Sequence, residues 1–161
     1  MFLIKKIQVF LLVLWLGFIM IPMSACSQTD SGLEDTNGNI IQKSQLANKW
    51  VIINYWADWC GYCVHEVPEL NKFYQHQNNK NIVLLGVNYD NLPLPLLKQA
   101  MQKMNILFPV LVTNPNTFWP LGDVDGLPTT FVINPQGQII KKLVGSISEA
   151  DLLKIVTSSS P

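Results

Sequence analysis

The chain has 161 residues, 48% of them hydrophobic, which is enough for one domain with a substantial apolar core. Its 11 basic and 11 acidic residues balance, every base is a lysine, and without Lys5 and Lys6 the acids outnumber the lysines by two, so nothing here makes an electrostatic footprint for nucleic acid. Three cysteines are too few to staple a small scaffold, which turns attention to what they could do chemically.

Residues 1–25 are built like a signal peptide of the lipoprotein type. Lys5 and Lys6 precede an almost wholly apolar run from Ile7 to Ile21, and Pro22-Met23-Ser24-Ala25 follows. That run is short for a spanning helix, which needs about 20 residues. Met23 stands where an ordinary A-x-A cleavage site takes a small residue, whereas Ser24-Ala25-Cys26 resembles the lipobox of bacterial lipoproteins. The likeness implies lipidation of Cys26 and a lipid anchor to the membrane, and Ser27 after it implies the outer rather than the inner membrane. An uncleaved signal anchor and a soluble secreted form are the alternatives. All three put the domain outside the cytoplasm, where thiols oxidise unless something reduces them. Residues 26–32 then read as a tether and 33–161 as the domain.

Asn37-Gly38 is a turn signal before Ile40-Ile41, a short edge strand, and Ser44 to Asn48 suits one helical turn. Val51-Ile52-Ile53-Asn54-Tyr55-Trp56 is apolar, β-branched and aromatic, as an interior strand is. A helix of about 61–78 follows, with Val64, Val67, Leu70, Phe73 and Tyr74 at helical spacing and Pro68 predicting a kink. Ile82 to Val87 is a second buried strand. Asp90 to Pro95 leads into a helix of about 95–104, with Leu96, Leu97, Ala100, Met101 and Met104 on its apolar face. Phe108 to Val112 is a further strand. Thr129–Asn134 and Gln138–Val144 pair as a hairpin around Asn134-Pro135-Gln136-Gly137, and Ala150 to Val156 closes the domain as an amphipathic helix. Strands alternating with helices and ending in a hairpin predict an α/β fold with a mixed sheet.

The chemistry centres on Trp59-Cys60-Gly61-Tyr62-Cys63. These thiols lie one helical turn apart where the interior strand gives way to a helix, so Cys60 sits at a helix N-terminus. Free amide N–H groups and the positive end of the macrodipole favour a thiolate there. The expectation is an exposed nucleophile at Cys60 and a deeper resolving thiol at Cys63. Zinc is a rival for such a pair. It needs four ligands, and the remaining candidates are Cys26, His65 and His76, the first claimed by the lipobox and the others on the same helix, so no metal site is expected. A copper-delivery protein would want a histidine in the later half, where none occurs. A peroxide-reducing enzyme would lack the tryptophan-flanked pair, and a non-enzymatic lipoprotein module would hold an unreactive one. Trp56 is expected in the core, Trp59 half-covering the dithiol, and Phe118-Trp119-Pro120 filling core rather than lining a substrate groove.

A Trp-Cys-x-x-Cys after a buried strand, followed by Pro128-Thr129-Thr130-Phe131, resembles a thioredoxin-like fold. Over about residues 33–157 the resemblance extends to membrane-anchored thiol–disulfide oxidoreductases of the TlpA/ResA type. It is carried by Asn54-Tyr55-Trp56-Ala57-Asp58-Trp59-Cys60, by Glu66 and Pro68 after Cys63, and by Gly126-Leu127-Pro128-Thr129-Thr130-Phe131. The 65 positions from Cys63 to Pro128 leave room for an added strand–helix insertion at about 88–112. The chain departs from thioredoxins at Asn54, where they carry an acid, and its Gly61-Tyr62 pair is not the dipeptide commonest in reductants of this kind.

The resemblance implies a cis peptide before Pro128, with the backbone of Leu127 pairing to an extended substrate beside Cys60 and Trp59. It also implies Glu66 as proton acceptor for Cys63, against the alternative of a solvated helix carboxylate. Reduction of disulfides in envelope proteins follows, apocytochrome c among them, with a membrane electron-donor protein keeping the dithiol reduced and no cofactor required. Oxidation or isomerisation of secreted proteins is the other direction the same pair could run.

Overall fold

The computed structural model describes residues 32–76 and 81–158. The signal segment, Cys26, the tether up to residue 31 and the last three residues lie outside the described residues, as do the expectations that fall on them.

In chain order the elements are β1 (Leu33–Glu34), β2 (Ile40–Ile41), α1 (Lys43–Leu46), β3 (Trp50–Trp56), α2 (Gly61–His76), β4 (Ile82–Asn88), α3 (Leu94–Lys103), β5 (Val110–Leu111), a 3-10 turn (Pro115–Thr117), β6 (Thr129–Ile133), β7 (Ile139–Val144) and α4 (Glu149–Ser158). Strands β1 and β2 form a two-stranded hairpin, and the other five make one sheet in the order β5-β4-β3-β6-β7. The β3, β4 and β5 strands run parallel, while β6 and β7 are antiparallel to their neighbours. The mixed sheet of an α/β thioredoxin-like fold is therefore present, with β3 at its centre. The insertion supplies α3 and the edge strand β5, in that order.

Every residue of β3 is buried, because β3 has a strand on each side and a layer on each face. Its period of two divides the core. Trp50, Ile52 and Trp56 pack with Cys63, Val67, Leu70 and Phe73 of α2, with Leu97 and Ala100 of α3, and with Leu152 and Val156 of α4. Val51, Ile53 and Tyr55 point the other way, to Leu33, Leu46, Leu111, Phe131, Phe118 and Trp119. Phe118 and Trp119 thus fill core, as the sequence suggests. Trp56 is fully buried too, its indole lying against Gly86 of β4, where a Cβ would stand 3.1 Å from Nε1 and 2.9 Å from a ring carbon of Phe108.

Three apolar assignments shift. The buried face of α2 carries Cys63, Glu66, Val67, Leu70, Asn71 and Phe73, whereas Val64 and Tyr74 are exposed. Positions 63, 66, 67, 70 and 73 form the stripe that 3.6 residues per turn aligns over the sheet, and 64 and 74 fall beside it. Leu96 is exposed for the same reason, while Leu97 and Ala100 face inward. The β5 strand is two residues long, not the five of Phe108–Val112, because it pairs with β4 only at Gly86–Val110 and Val87–Leu111, while the N-terminal segment bonds to its outer side. Thr36 N–H donates to the Val110 carbonyl at 2.9 Å, and Val112 N–H donates to that of Glu34 at 2.8 Å. Asp35 organises this strap, its Oδ1 accepting from the N–H groups of Asn37 and Asn39 at 2.8 and 2.9 Å.

The β6–β7 turn is the one predicted. Asn134 Oδ1 accepts from the Gln136 and Gln138 N–H groups, and Gly137 takes a φ of +79°, which glycine adopts without a Cβ clash.

Candidate active site

The strand-to-helix junction is built by a tight turn. Trp56 ends β3, Cys60 N–H donates to the Ala57 carbonyl at 3.2 Å, and Val64 N–H donates to the Cys60 carbonyl at 3.1 Å, opening α2. Cys60 is thus the last residue before the helix, and Cys63 completes its first turn. The two are joined by a disulfide, with Cα atoms 5.2 Å apart. Cys63 N–H donates to Cys60 Sγ at 3.2 Å, so an orphan amide of the helix end is aimed at the first sulfur. No acid stands in the first turn of α2 to oppose a thiolate there.

The expected exposure of Cys60 is corrected: it is 6% exposed, and Cys63 is fully buried. The ordering of the two sulfurs holds. Cys60 lines a groove of about 350 Å³ with Trp59, Gly61, Tyr62, Tyr89, Asp125, Gly126 and Leu127, and Cys63 does not reach it. Trp59 stands as a wall of that groove rather than a cover, 64% exposed, with its Nε1–H donating to Asp90 Oδ2 at 2.7 Å. Tyr62 and Tyr89, both exposed, complete an aromatic rim. Sequence reasoning marks Tyr62 only as half of the unusual Gly61-Tyr62 pair and does not mark Tyr89. Tyr89 carries a usable signal, since it follows the carboxyl end of a parallel strand, where sites of open α/β sheets gather. Its N–H donates to the Trp56 carbonyl at 2.9 Å, which fixes it beside the dithiol turn.

Leu127 forms the facing wall, and the Leu127–Pro128 peptide is cis. Pro128 itself is buried behind the groove, anchored where its carbonyl accepts from Gly145 N–H at 2.8 Å. Trp59, Cys60 and Leu127 thus meet at the surface, and Cys63, Glu66 and Pro128 lie beneath it.

Glu66 is no solvated helix carboxylate: it is 1% exposed. One turn beyond Cys63 on the inward stripe of α2, it meets β3 and β6 where their polar residues align. Asn54 and Thr130 are register partners in β3 and β6. Asn54 Nδ2–H donates to Glu66 Oε2 at 2.8 Å and to Thr130 Oγ1 at 3.0 Å, while Ile147 N–H donates to Glu66 Oε1 at 2.9 Å. Burial pushes the carboxyl up from 4.5 to about 7, against the downward pull of the bonds from Ile147 and Asn54. Sequence reasoning marks Asn54 only as a departure from an acid. Its signal is there, as the one polar side chain in an otherwise apolar and aromatic strand. His65 is exposed, and His76 Nδ1 lies 2.7 Å from Glu149 Oε1 at the surface. Among the described residues no cluster of His, Cys, Asp and Glu could hold a metal ion.

A five-stranded mixed sheet, a Cys-x-x-Cys pair opening the helix after its central strand and a cis proline behind that pair define a thioredoxin-like dithiol protein. The chain belongs to the AhpC/TSA family, whose sequence profile matches residues 27–142. It is 34% identical over 118 residues to the thiol-disulfide oxidoreductase ResA of Bacillus subtilis, over 73% of this chain and 65% of that relative, so it spans somewhat less than two thirds of that protein's length. It is 27% identical to the protein of the same name from Geobacillus kaustophilus, over 82% of this chain and 75% of the other. Among solved structures, a thiol:disulfide interchange protein from Chlorobium tepidum superposes with a TM-score of 0.65 at 27% identity, covering 81% of this chain and 95% of that one. The ResA-type resemblance read from the motifs is thereby borne out.

Proposed function

We propose that the protein is an extracytoplasmic thiol–disulfide oxidoreductase that reduces disulfides of envelope proteins through Cys60 and Cys63. The observation that carries this is the arrangement in depth: one sulfur at a groove, its partner beneath, and a buried carboxyl one turn further in. The opened Cys60 thiolate would be held by the Cys63 N–H and the helix dipole. It attacks one sulfur of a substrate disulfide, the substrate S–S bond breaks, and the departing substrate sulfur takes a proton from water. Cys63 passes its proton to Glu66, and its thiolate attacks Cys60 Sγ. The Cys60–Cys63 bond forms, the second substrate sulfur leaves, and two electrons have moved to the substrate. A dithiol protein in the membrane restores the reduced form.

The groove suits an extended polypeptide. Aromatic faces at Trp59, Tyr62 and Tyr89 offer apolar contact, and nothing among the described residues bonds to the backbone of Leu127, which is left to pair with a substrate strand. Apocytochrome c, whose haem-binding cysteines must be reduced before attachment, fits this substrate class. The lipobox reading of Ser24-Ala25-Cys26 supports a lipid anchor facing the periplasm or other extracytoplasmic space. The reduction potential tests the direction. A value well below that of the glutathione couple supports a reductant, and one near the strong dithiol oxidants overturns it in favour of an oxidase or isomerase. For the proton path, Glu66→Gln is expected to slow reduction of a model disulfide and to remove the inflection near neutral pH from its rate profile. An unchanged profile rules Glu66 out as the acceptor.

A further inference from the structure

The buried triad of Glu66, Asn54 and Thr130 contains one polar atom with no partner: Asn54 Oδ1, in a side chain that is fully buried. An orphaned carbonyl oxygen in the core is costly, and its geometry here is informative. Both hydrogens of Nδ2 are spent on Glu66 Oε2 and Thr130 Oγ1. Glu66 Oε1 is committed to Ile147 N–H, a backbone donor that cannot become an acceptor. A proton placed on Oε2, the oxygen that faces Asn54, would confront an N–H of Asn54, donor against donor.

We propose that Asn54 is a proton-linked swivel and a positioning residue for Glu66: its amide offers Nδ2–H to the ionised carboxylate and turns over when the carboxyl is protonated, so that Oδ1 accepts the new O–H. A half-turn about the last side-chain bond exchanges the two ends of the amide at nearly constant shape. In the turned state Oδ1 accepts from Glu66 Oε2–H and from the Thr130 hydroxyl, which reverses its role by rotating its own hydrogen. The Ile147 bond is unchanged, and the orphan becomes Nδ2 in place of Oδ1. Each state keeps the same number of bonds and leaves one amide end unsatisfied. The swivel thus supports both forms of the acid about equally, whereas a fixed donor would favour only the ionised one.

This inference rests on the proposed role of Glu66 as proton acceptor for what it does in catalysis, though the turn itself needs only that Glu66 titrate. In turnover the proton leaves Cys63 Sγ, the bonding pair stays on sulfur, and the proton becomes Glu66 Oε2–H as the amide turns. The titratable neighbours are few. Cys63 lies one turn back on α2 with Cys60 before it, β3 and β6 supply Asn54 and Thr130, and at the start of α4 Glu149 and Asp151 are engaged by His76 and Ser148. Among the described residues no charged side chain bonds to the carboxyl, and its midpoint near neutrality places the turn within the working range of a thiol enzyme.

Nuclear magnetic resonance on the oxidised protein tests the swivel directly, following the Glu66 carboxyl carbon and the Asn54 side-chain amide between about pH 5 and 9. The two are expected to titrate with one midpoint, and Glu66→Gln is expected to flatten the Asn54 response. An Asn54 amide that stays flat while Glu66 titrates overturns the swivel, as does a Glu66 carboxyl that takes up no proton over that range. The near-isosteric Asn54→Leu gives a second reading: because both protonation states lose a bond, the Glu66 midpoint is expected to move by less than about half a pH unit. A rise of about one unit or more marks Asn54 as a fixed donor and also overturns the proposal. Should Asn54→Leu fail to fold, the wild-type titration decides alone. Failure of the base reading is separate: it shows as an unaltered pH–rate profile in Glu66→Gln while the coupled titration persists.

Discussion

Burying a carboxyl without a cation has a thermodynamic signature that the Glu66→Gln exchange isolates. In the folded state Glu66 titrates at about 7 against an ordinary 4.5, and burial is the main cause. Between these values the folded chain holds a proton that the unfolded chain has lost, so stability falls as pH rises. The sign follows: the contribution is fully present below about 4.5, is lost on passing up through about 7, and is level beyond. Roughly 2.5 pH units at about 1.4 kcal/mol each make the whole loss about 3–4 kcal/mol, a large share of a small domain's stability. Glutamine cannot ionise, so its variant should not show it. Urea unfolding of both oxidised proteins at matched pH from about 5 to 8 should give wild-type midpoints that fall relative to those of the Glu66→Gln variant, by the part of that loss which falls inside this window, equivalent to about 2–3 kcal/mol. Asp35, whose carboxyl is held low by bonds from Asn39, Asn37 and Gly38 that outweigh its burial, contributes equally to both proteins and cancels. Parallel curves would refute the assignment of a neutral-range proton to this carboxyl.

Other expectations concern the packing and the rim. Gly86→Ala drives a Cβ to 2.9 Å from Phe108 and 3.0 Å from Val110 beneath Trp56, and a loss of about 1–3 kcal/mol is expected in urea unfolding; a neutral result would mean that this layer yields freely. Asp35→Ala removes the acceptor of three N–H groups and should cost about 1–3 kcal/mol, with hydrogen exchange rising first at Thr36 and Val112; unchanged protection there would separate the turn from the strap. Trp59→Phe deletes the bond to Asp90 while keeping an aromatic face, so KM for a peptide disulfide should rise about 3–10-fold with kcat little changed; a fall in kcat alone would show that Trp59 acts on the sulfurs instead.

Much of this architecture is written in local pattern. The unbroken apolar run at 51–56, the cysteines after it and the Asn134–Gly137 turn are local signals, and each forms where the sequence places it. What escapes are features set by distant chain. Val112 looks like strand, yet the pairing with β4 ends at Leu111, and the Val112 N–H goes instead to Glu34, 78 positions earlier. Val64 and Tyr74 look like core, yet the stripe facing the sheet admits Glu66 and Asn71 in their stead, because Asn54, Ile147, Asn105 and Leu107 bring partners for these polar groups. The motif suggests an open Cys60 because it speaks of the helix end and is silent about the walls that Trp59, Tyr89 and Leu127 raise around it. Asn54 shows the same limit, since its importance lies in what crosses from another element.

The strap that Asp35 folds over the outer strand also shields the molecule from its own kind. With the hydrogen-bonding groups of Val110 and Val112 already claimed from within the chain, a second copy finds no open ribbon to extend on that flank. On the opposite flank Lys141 and Lys142 discourage the same stacking by charge. Both sides of the sheet are thus guarded against added strands, whereas next to the reactive pair the backbone of Leu127 makes no hydrogen bond among the described residues.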